Sequence, residues 1–198
     1  MSTRKGNIIR LADLLDEAVV RIQKVISEKG TKLATSDAEV IGIGAVKYSY
    51  LMQDAIRDTV FDWDKTLSLE GHSGPYIQYA YVRARKILSK SGVILVPETD
   101  WSSFTNVLIS PLDRALLLEL SRLDAVALQV YTTSKPHHLA NYTYSLAGVF
   151  SSFYVGTSGI VEEPDAELRA FRLSLVRETA ERLQKSFKLL AIEMPEAM

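Results

Sequence analysis

Apolar residues recur at helical spacing along most of this chain. Leu11, Leu14, Leu15, Ala18, Val19, Ile22, Val25 and Ile26 fall at i, i+3, i+4, i+7 and onward. They form one stripe of an amphipathic helix of about 18 residues, which Gly30 stops. A second helix is expected from Thr35 or Ser36, either of which can cap it with Glu39 following, to about Ala55. Gly42 and Gly44 lie inside that helix. Each costs about 1 kcal/mol of helix propensity, so the pair points to close packing against a neighbour. From Thr59 to Leu69 the periodicity weakens. A short extended piece through Val60 and Phe61 is expected there, then one helical turn.

The pattern sharpens again after Gly71. In GHSGPYIQYAYVRARKILSK a helix beginning near Ser73 has proline in its first turn and ends at Gly92. At about 100° per residue, Ile77, Ala80, Tyr81, Ala84, Ile87 and Leu88 share one side. Tyr79, Arg83, Lys86 and Lys90 stack on another, and no acidic residue interrupts Gly71 to Pro97. Val93 to Ser110 reads as a surface connection. Three further helices are expected: a Leu-rich one from Leu112 to Tyr131, one from Pro136 to Tyr154, and one from Asp165 to Leu190. Phe150, Phe153 and Tyr154 are assigned mainly to the core. The fold class is mainly all-α: a helical bundle over residues 71–198, preceded by a shorter helical segment over residues 1–70.

Composition narrows the chemistry. The chain has 198 residues, 47% of them hydrophobic, which suffices for one sizeable core. Net charge is −1, so a nucleic-acid partner would have to meet a local patch, not a bulk field. With no cysteine, disulfides, thiolate metal sites and thiol nucleophiles are excluded. No apolar signal region opens the chain and no run approaches the roughly 20 residues of a membrane span. A soluble, cytoplasmic protein is expected.

No self-sufficient active site emerges. His72, His137 and His138 are the only histidines, and an adjacent pair points its rings in different directions, a poor metal site. No serine lies in a nucleophile-elbow sequence. Asp62 and Asp64 read as solvated or capping carboxylates. The basic stripe headed by Tyr79 is the strongest candidate. Cations that neutralise phosphates, beside a ring on which a base can stack, are what single-stranded nucleic acid requires. The spacing alone better fits a solvated helix face with a tyrosine at the core's edge.

A resemblance separates these readings. FDWDKTLSLEGHSGPYIQYAYVRARKIL, Phe61 to Leu88, resembles the join between catalytic body and anticodon-binding domain in arginyl-tRNA synthetases. MSTRKGN at the start resembles the family's form of the class I signature loop usually written KMSKS. LLAIEMPEAM, Leu189 to Met198, resembles the family's short tail closing on a methionine. The resemblance runs in order through the whole chain and covers only the C-terminal part of a synthetase.

The resemblance implies a site and a partner. Tyr76, Gln78 and Tyr79 match the family's Y-x-Q-Y motif, with Arg83 one turn on, Met198 at the tail, and Tyr142 on a later helix as a weaker match. These residues would meet the anticodon loop of arginine isoacceptor tRNAs, with Arg83, Lys86 and Lys90 holding phosphates. His72 stands where the family often has Asp or Asn, and Tyr81 where it often has His, so nucleotide preference could differ. Ser2, Arg4 and Lys5 match the signature loop, which in the full-length enzyme closes over ATP, used with magnesium. No cofactor is expected in this chain itself. Two other readings remain: a truncated paralogue acting as a helical protein-interaction module, and half of a split synthetase completed by a separate N-terminal catalytic half. The apolar face of Leu11, Leu14, Ile22 and Ile26 needs a partner, through self-association or by folding back on the bundle. As the 198-residue chain starts within the loop, it is expected to show no arginine-dependent exchange of pyrophosphate with ATP, measured on purified protein with tRNA present.

Overall fold

The computed structural model describes residues 10–28, 30, 33–92, 100–157 and 159–198. Eight α-helices lie among them: α1 Leu11–Glu28, α2 Thr35–Leu51, α3 Trp63–Thr66, α4 Gly74–Ser91, α5 Pro111–Ser121, α6 Leu123–Thr133, α7 His137–Gly156 and α8 Ala166–Leu189, with a 3₁₀ turn at Trp101–Phe104. No strand occurs among the described residues. Val60 and Phe61 join no ladder. Phe61 instead stacks on Tyr50 and meets Trp63 edge-on.

Local chemistry sets most helix ends. Ser73 caps α4 by accepting from the Tyr76 amide, and Gly92 ends it in the left-handed region at φ 61°. Ser110 and Asp113 form a capping box on α5 behind Pro111. The Asp165 carboxylate accepts from the amides of Glu167 and Leu168 at the start of α8. At α2 neither Thr35 nor Ser36 caps: the N-cap is Ala34, with no side-chain bond. That helix also stops at Leu51, short of Ala55. Beyond it the Asp54 carboxylate turns to Lys135, 2.6 Å away across the fold.

The expected single helix from Leu112 to Tyr131 is two helices. At Arg122 the amide donates to the Glu119 carbonyl, three residues back instead of four. The Arg122 guanidinium also binds the Glu119 carboxylate at 2.8 and 3.0 Å. This tightened turn lets α5 bury Leu116 and Leu120 while α6 buries Leu123 and Val126. Neither glycine nor proline marks the break.

The helices stack in a chain of contacts. α1 lies on α2, α2 on α4, and α4 on both α7 and α8; α5 packs on α7 and α8, and α6 on α7. One apolar core runs through them. It joins Ile22 and Ile26 of α1 and Ile41, Ala45 and Tyr48 of α2 to Ile77, Phe150, Leu175 and Phe187 of the bundle. The core is therefore continuous across Glu70–Gly71. Leu14, Ile22 and Ile26 are buried within the chain, whereas Leu11 stays 67% exposed. The apolar face of α1 is thus met by folding onto the neighbouring helix.

Glycines set the closest approaches. A Cβ on Gly42 would lie 2.9 Å from the backbone nitrogen of Val19 on α1. A Cβ on Gly74 would lie 3.1 Å from both the Ala45 Cα and the Tyr48 Cβ on α2. Gly42→Ala gains up to about 1 kcal/mol of helix propensity but drives side chain into backbone, which costs about 1–3 kcal/mol. Urea unfolding is expected to show net destabilisation. Gly148→Ala in α7 would meet only the Tyr76 hydroxyl, at 3.9 Å. It is expected to be neutral or stabilising by up to about 1 kcal/mol.

Histidine and tyrosines tie α2, α4 and α7 together. The Tyr48 hydroxyl donates to the Ala140 carbonyl at 2.8 Å and also meets His72 Nε2 at 3.0 Å. The His72 ring stacks on Tyr144, centroids 4.1 Å apart. Burial there holds the His72 pKa below 6.5, and burial together with the adjoining His138 lowers His137 as well. Both fold best as neutral imidazoles, so the unfolded chain takes up protons first as pH falls. Stability is expected to be complete above pH 6.5 and to decline as pH drops below it. Urea midpoints between pH 7.5 and 5.5 check this, and His72→Gln should flatten part of the slope, leaving the His137 share.

Candidate nucleic-acid interface

Helix α4 buries Ile77, Ala80, Tyr81, Ala84 and Ile87. Its opposite stripe is not a row of free cations. The Arg83 guanidinium carbon lies 4.6 Å from the Tyr79 ring centroid and 4.8 Å from that of Tyr154 on α7. A guanidinium between two aromatic faces is attracted by both quadrupoles, about 0.5–1 kcal/mol each at exposed sites. Tyr79 is 38% exposed and Tyr154 41%. The result is a three-layer stack, aromatic, cation, aromatic, bridging α4 and α7 at the surface.

Beside the stack lies a groove of about 620 Å³, within the range typical of ligand sites. Tyr76, Tyr79, Arg83 and Lys86 of α4 line it, with Ser151 of α7, Ile26 of α1, Leu69, Glu70 and Met198. The Tyr76 hydroxyl donates to Ser151 Oγ at 3.3 Å. Lys86 Nζ donates to the main-chain oxygen of Met198 at 3.3 Å. Met198 is itself 7% exposed, so it forms part of the wall. A second hollow continues past Tyr154, where Lys90 faces Val155, Ile160 and Glu162. The geometry offers aromatic faces for stacking, fixed positive charge and an apolar floor.

The expected residues divide three ways. Tyr76, Tyr79, Arg83, Lys86 and Met198 converge on the groove, and Lys90 stands one hollow further along. Gln78 and Tyr142 do not reach a surface. Gln78 is fully buried; its amide nitrogen donates to the carbonyls of Glu193 at 2.9 Å and Val40 at 3.4 Å. It holds chain to chain and cannot touch a ligand directly. Tyr142 is 2% exposed on the core face of α7, and burial pushes its hydroxyl pKa up to about 12. Ser2, Arg4 and Lys5 lie outside the described residues. Of the two departures from the family pattern, Tyr81 is buried in the core. His72 is one ring removed from the groove, through Tyr144 to Tyr76.

Tyr154 is the residue that the core assignment missed. Helical spacing puts it about 40° from Phe150, which is fully buried, and so on the core side. Yet its neighbour Phe153 takes the buried position in that turn, and Tyr154 turns outward against Arg83.

Comparison with known proteins identifies the family. Residues 77–198 match the DALR anticodon binding domain family, and residues 1–63 match the catalytic domain of class I (R) tRNA synthetases. The chain is 40% identical over 200 residues to arginine–tRNA ligases of Cellvibrio japonicus and Pasteurella multocida, covering 99% of this chain and 34% and 35% of theirs. It therefore spans about a third of the length of these curated relatives. Among solved structures it resembles the arginyl-tRNA synthetase of Thermus thermophilus, at 30% identity and TM-score 0.86, over 98% of this chain and 33% of that one. It shares the fold of the Plasmodium falciparum arginyl-tRNA synthetase at 24% identity and TM-score 0.80, over 96% and 34%. Its helical architecture agrees with these matches: the chain belongs to the DALR anticodon-binding family, joined at its head to a stretch of class I synthetase catalytic domain.

Proposed function

We propose that the α4–α7 groove binds the anticodon loop of a tRNA, and that the chain is the RNA-reading C-terminal part of an arginyl-tRNA synthetase. The observation that carries this reading is the Tyr79–Arg83–Tyr154 stack opening beside a groove lined by Tyr76 and Met198. A loop base stacks on the exposed tyrosine face, and its edge meets polar groups at the groove wall. Arg83, pinned between rings, presents a fixed charge to phosphate, while Lys90 supplies a mobile one further along. Phosphate contacts give affinity and register, and base contacts give selectivity. Arginine isoacceptors are the tRNAs proposed, because the relatives are arginine–tRNA ligases. We place the functional boundary between catalytic remnant and RNA-binding bundle at Glu70–Gly71.

Ligation of arginine to tRNA belongs, on this reading, to the longer enzyme. ATP with magnesium would be held by the catalytic body, with Ser2, Arg4 and Lys5 in the signature loop that closes on it. The described residues contain no group of three or more metal-ligating side chains, and no catalytic step is assigned to them.

The test is titration of an arginine tRNA transcript, with melting measured on the same samples. A base stacked on Tyr79 contributes about 1–3 kcal/mol. Tyr79→Ala is therefore expected to weaken binding by roughly five- to a hundredfold, more for the natural anticodon loop than for a loop with substituted bases. Lys90→Ala should weaken all tRNAs evenly and flatten the salt dependence. Arg83→Ala should do both, since it removes charge and unseats two rings. A Tyr79→Ala variant that melts earlier but keeps full affinity and selectivity would end the assignment.

A further inference from the structure

The last nine residues are fastened to the body along their whole length. The tail leaves α8 through a tight reversal: Ile192 N–H donates to the Phe187 carbonyl at 2.8 Å and Ala191 N–H to that of Lys188 at 3.1 Å. This closing motif normally places glycine in the left-handed position. Here Ala191 occupies it at φ 56°, which an alanine adopts only at a cost. The Ala191 carbonyl accepts from Lys47 Nζ of α2 at 2.7 Å. Next, the Glu193 carbonyl accepts from the buried Gln78 amide at 2.9 Å. The Glu196 amide then donates to Asp37 Oδ1 of α2 at 2.9 Å. Finally Lys86 holds the Met198 oxygen at the groove wall.

Space has been left for this path. A Cβ on Gly44 would lie 2.9 Å from Gln78 Nε2 and 3.1 Å from the Ile192 side chain. Ile192 is 2% exposed. Asp37 is 9% exposed, an unusual depth for a carboxylate in the first turn of a helix. No residue of α2 lines the groove, yet two of the four fastenings of the segment that completes it come from α2.

We propose that Asp37 and Lys47 of α2, together with Gln78 of α4, are positioning residues for the groove: they strap the tail down so that Met198 closes the wall, and thereby set RNA affinity from outside the site. This rests on the anticodon-loop reading for its consequence, but not for the strap itself. Releasing either end of the strap lets Met198 leave the wall. A bound loop must then order the tail before it gains the contact, and affinity falls by that ordering cost.

The experiment uses the full chain with Asp37→Ala, Asp37→Asn and Lys47→Ala, and two readouts. The first is the rate at which dilute hydrogen peroxide oxidises Met198, followed by peptide mass spectrometry. Asp37→Ala and Lys47→Ala should raise it about threefold or more. Asp37→Asn should not, because its amide oxygen still accepts from Glu196. The second is affinity for an arginine tRNA transcript. The two alanine variants should bind about three- to tenfold more weakly, with Asp37→Asn close to the parent. In a chain lacking residues 195–198, Asp37→Ala should cause no further loss. Unchanged Met198 oxidation in both alanine variants overturns the strap. Faster oxidation with unchanged affinity overturns its role, as does an additive loss in the shortened chain. Lys47 is exposed, so its variant tests the idea even if Asp37→Ala disturbs the start of α2. A parent chain that binds no tRNA refutes the anticodon-loop reading before any variant is made, while the oxidation rates still report on the strap.

Discussion

The distance between α2 and α4 governs what the rest of this molecule can do. Gly74 lets the first turn of α4 settle within van der Waals contact of Ala45 and Tyr48. Gly42 does the same for α1 against α2. Dispersion and apolar burial reward such approaches only when backbones come this near. Once they do, Tyr48 reaches Ala140 and His72, and α7 is drawn alongside α4. The groove, the cation between two rings and the seat of the tail all follow from that spacing.

Electrostatics at the surface is local. A net charge of −1 gives no long-range attraction for a polyanion. Within the stripe, Arg83 is neutralised by no carboxylate in the ion pairs formed among the described residues, and it gains instead from ring faces. A cation held this way keeps its charge available. Acidic partners, by contrast, occupy Arg172, which binds Asp113 and Glu163 at 11% side-chain exposure and fastens α8 to the start of α5. The chain uses one arginine as a structural tie and holds another half-buried against aromatic rings.

Helix existence was legible because a 3.6-residue period leaves its mark wherever one face is buried. The α4 caps were legible too, since serine, proline and glycine act through their own backbone chemistry. The division of the Leu-rich helix into α5 and α6 was not. Arg122 has good helix propensity, and what bends the chain there is an i−3 bond and a contact with Glu119, neither written in local pattern. Of the residues that line the groove, Tyr76, Tyr79, Arg83 and Met198 could be named from a family motif. That motif lists residues without saying which way they point. Gln78 sits one residue from Tyr79, about 100° around the helix, and that rotation alone sends it inward to the tail. Tyr142 goes to the core for the same reason, while Tyr154, one residue past the buried Phe153, turns outward to Arg83.

The continuous core across Glu70–Gly71 has a mechanical consequence. Helix α2 bears α1 and α4 alike, so the two are coupled through its packing. A displacement of α4 is met by α2, and through it by α1, without a gap in the apolar packing. Residues that match a class I catalytic domain therefore share one packed core with the bundle that carries the α4 groove.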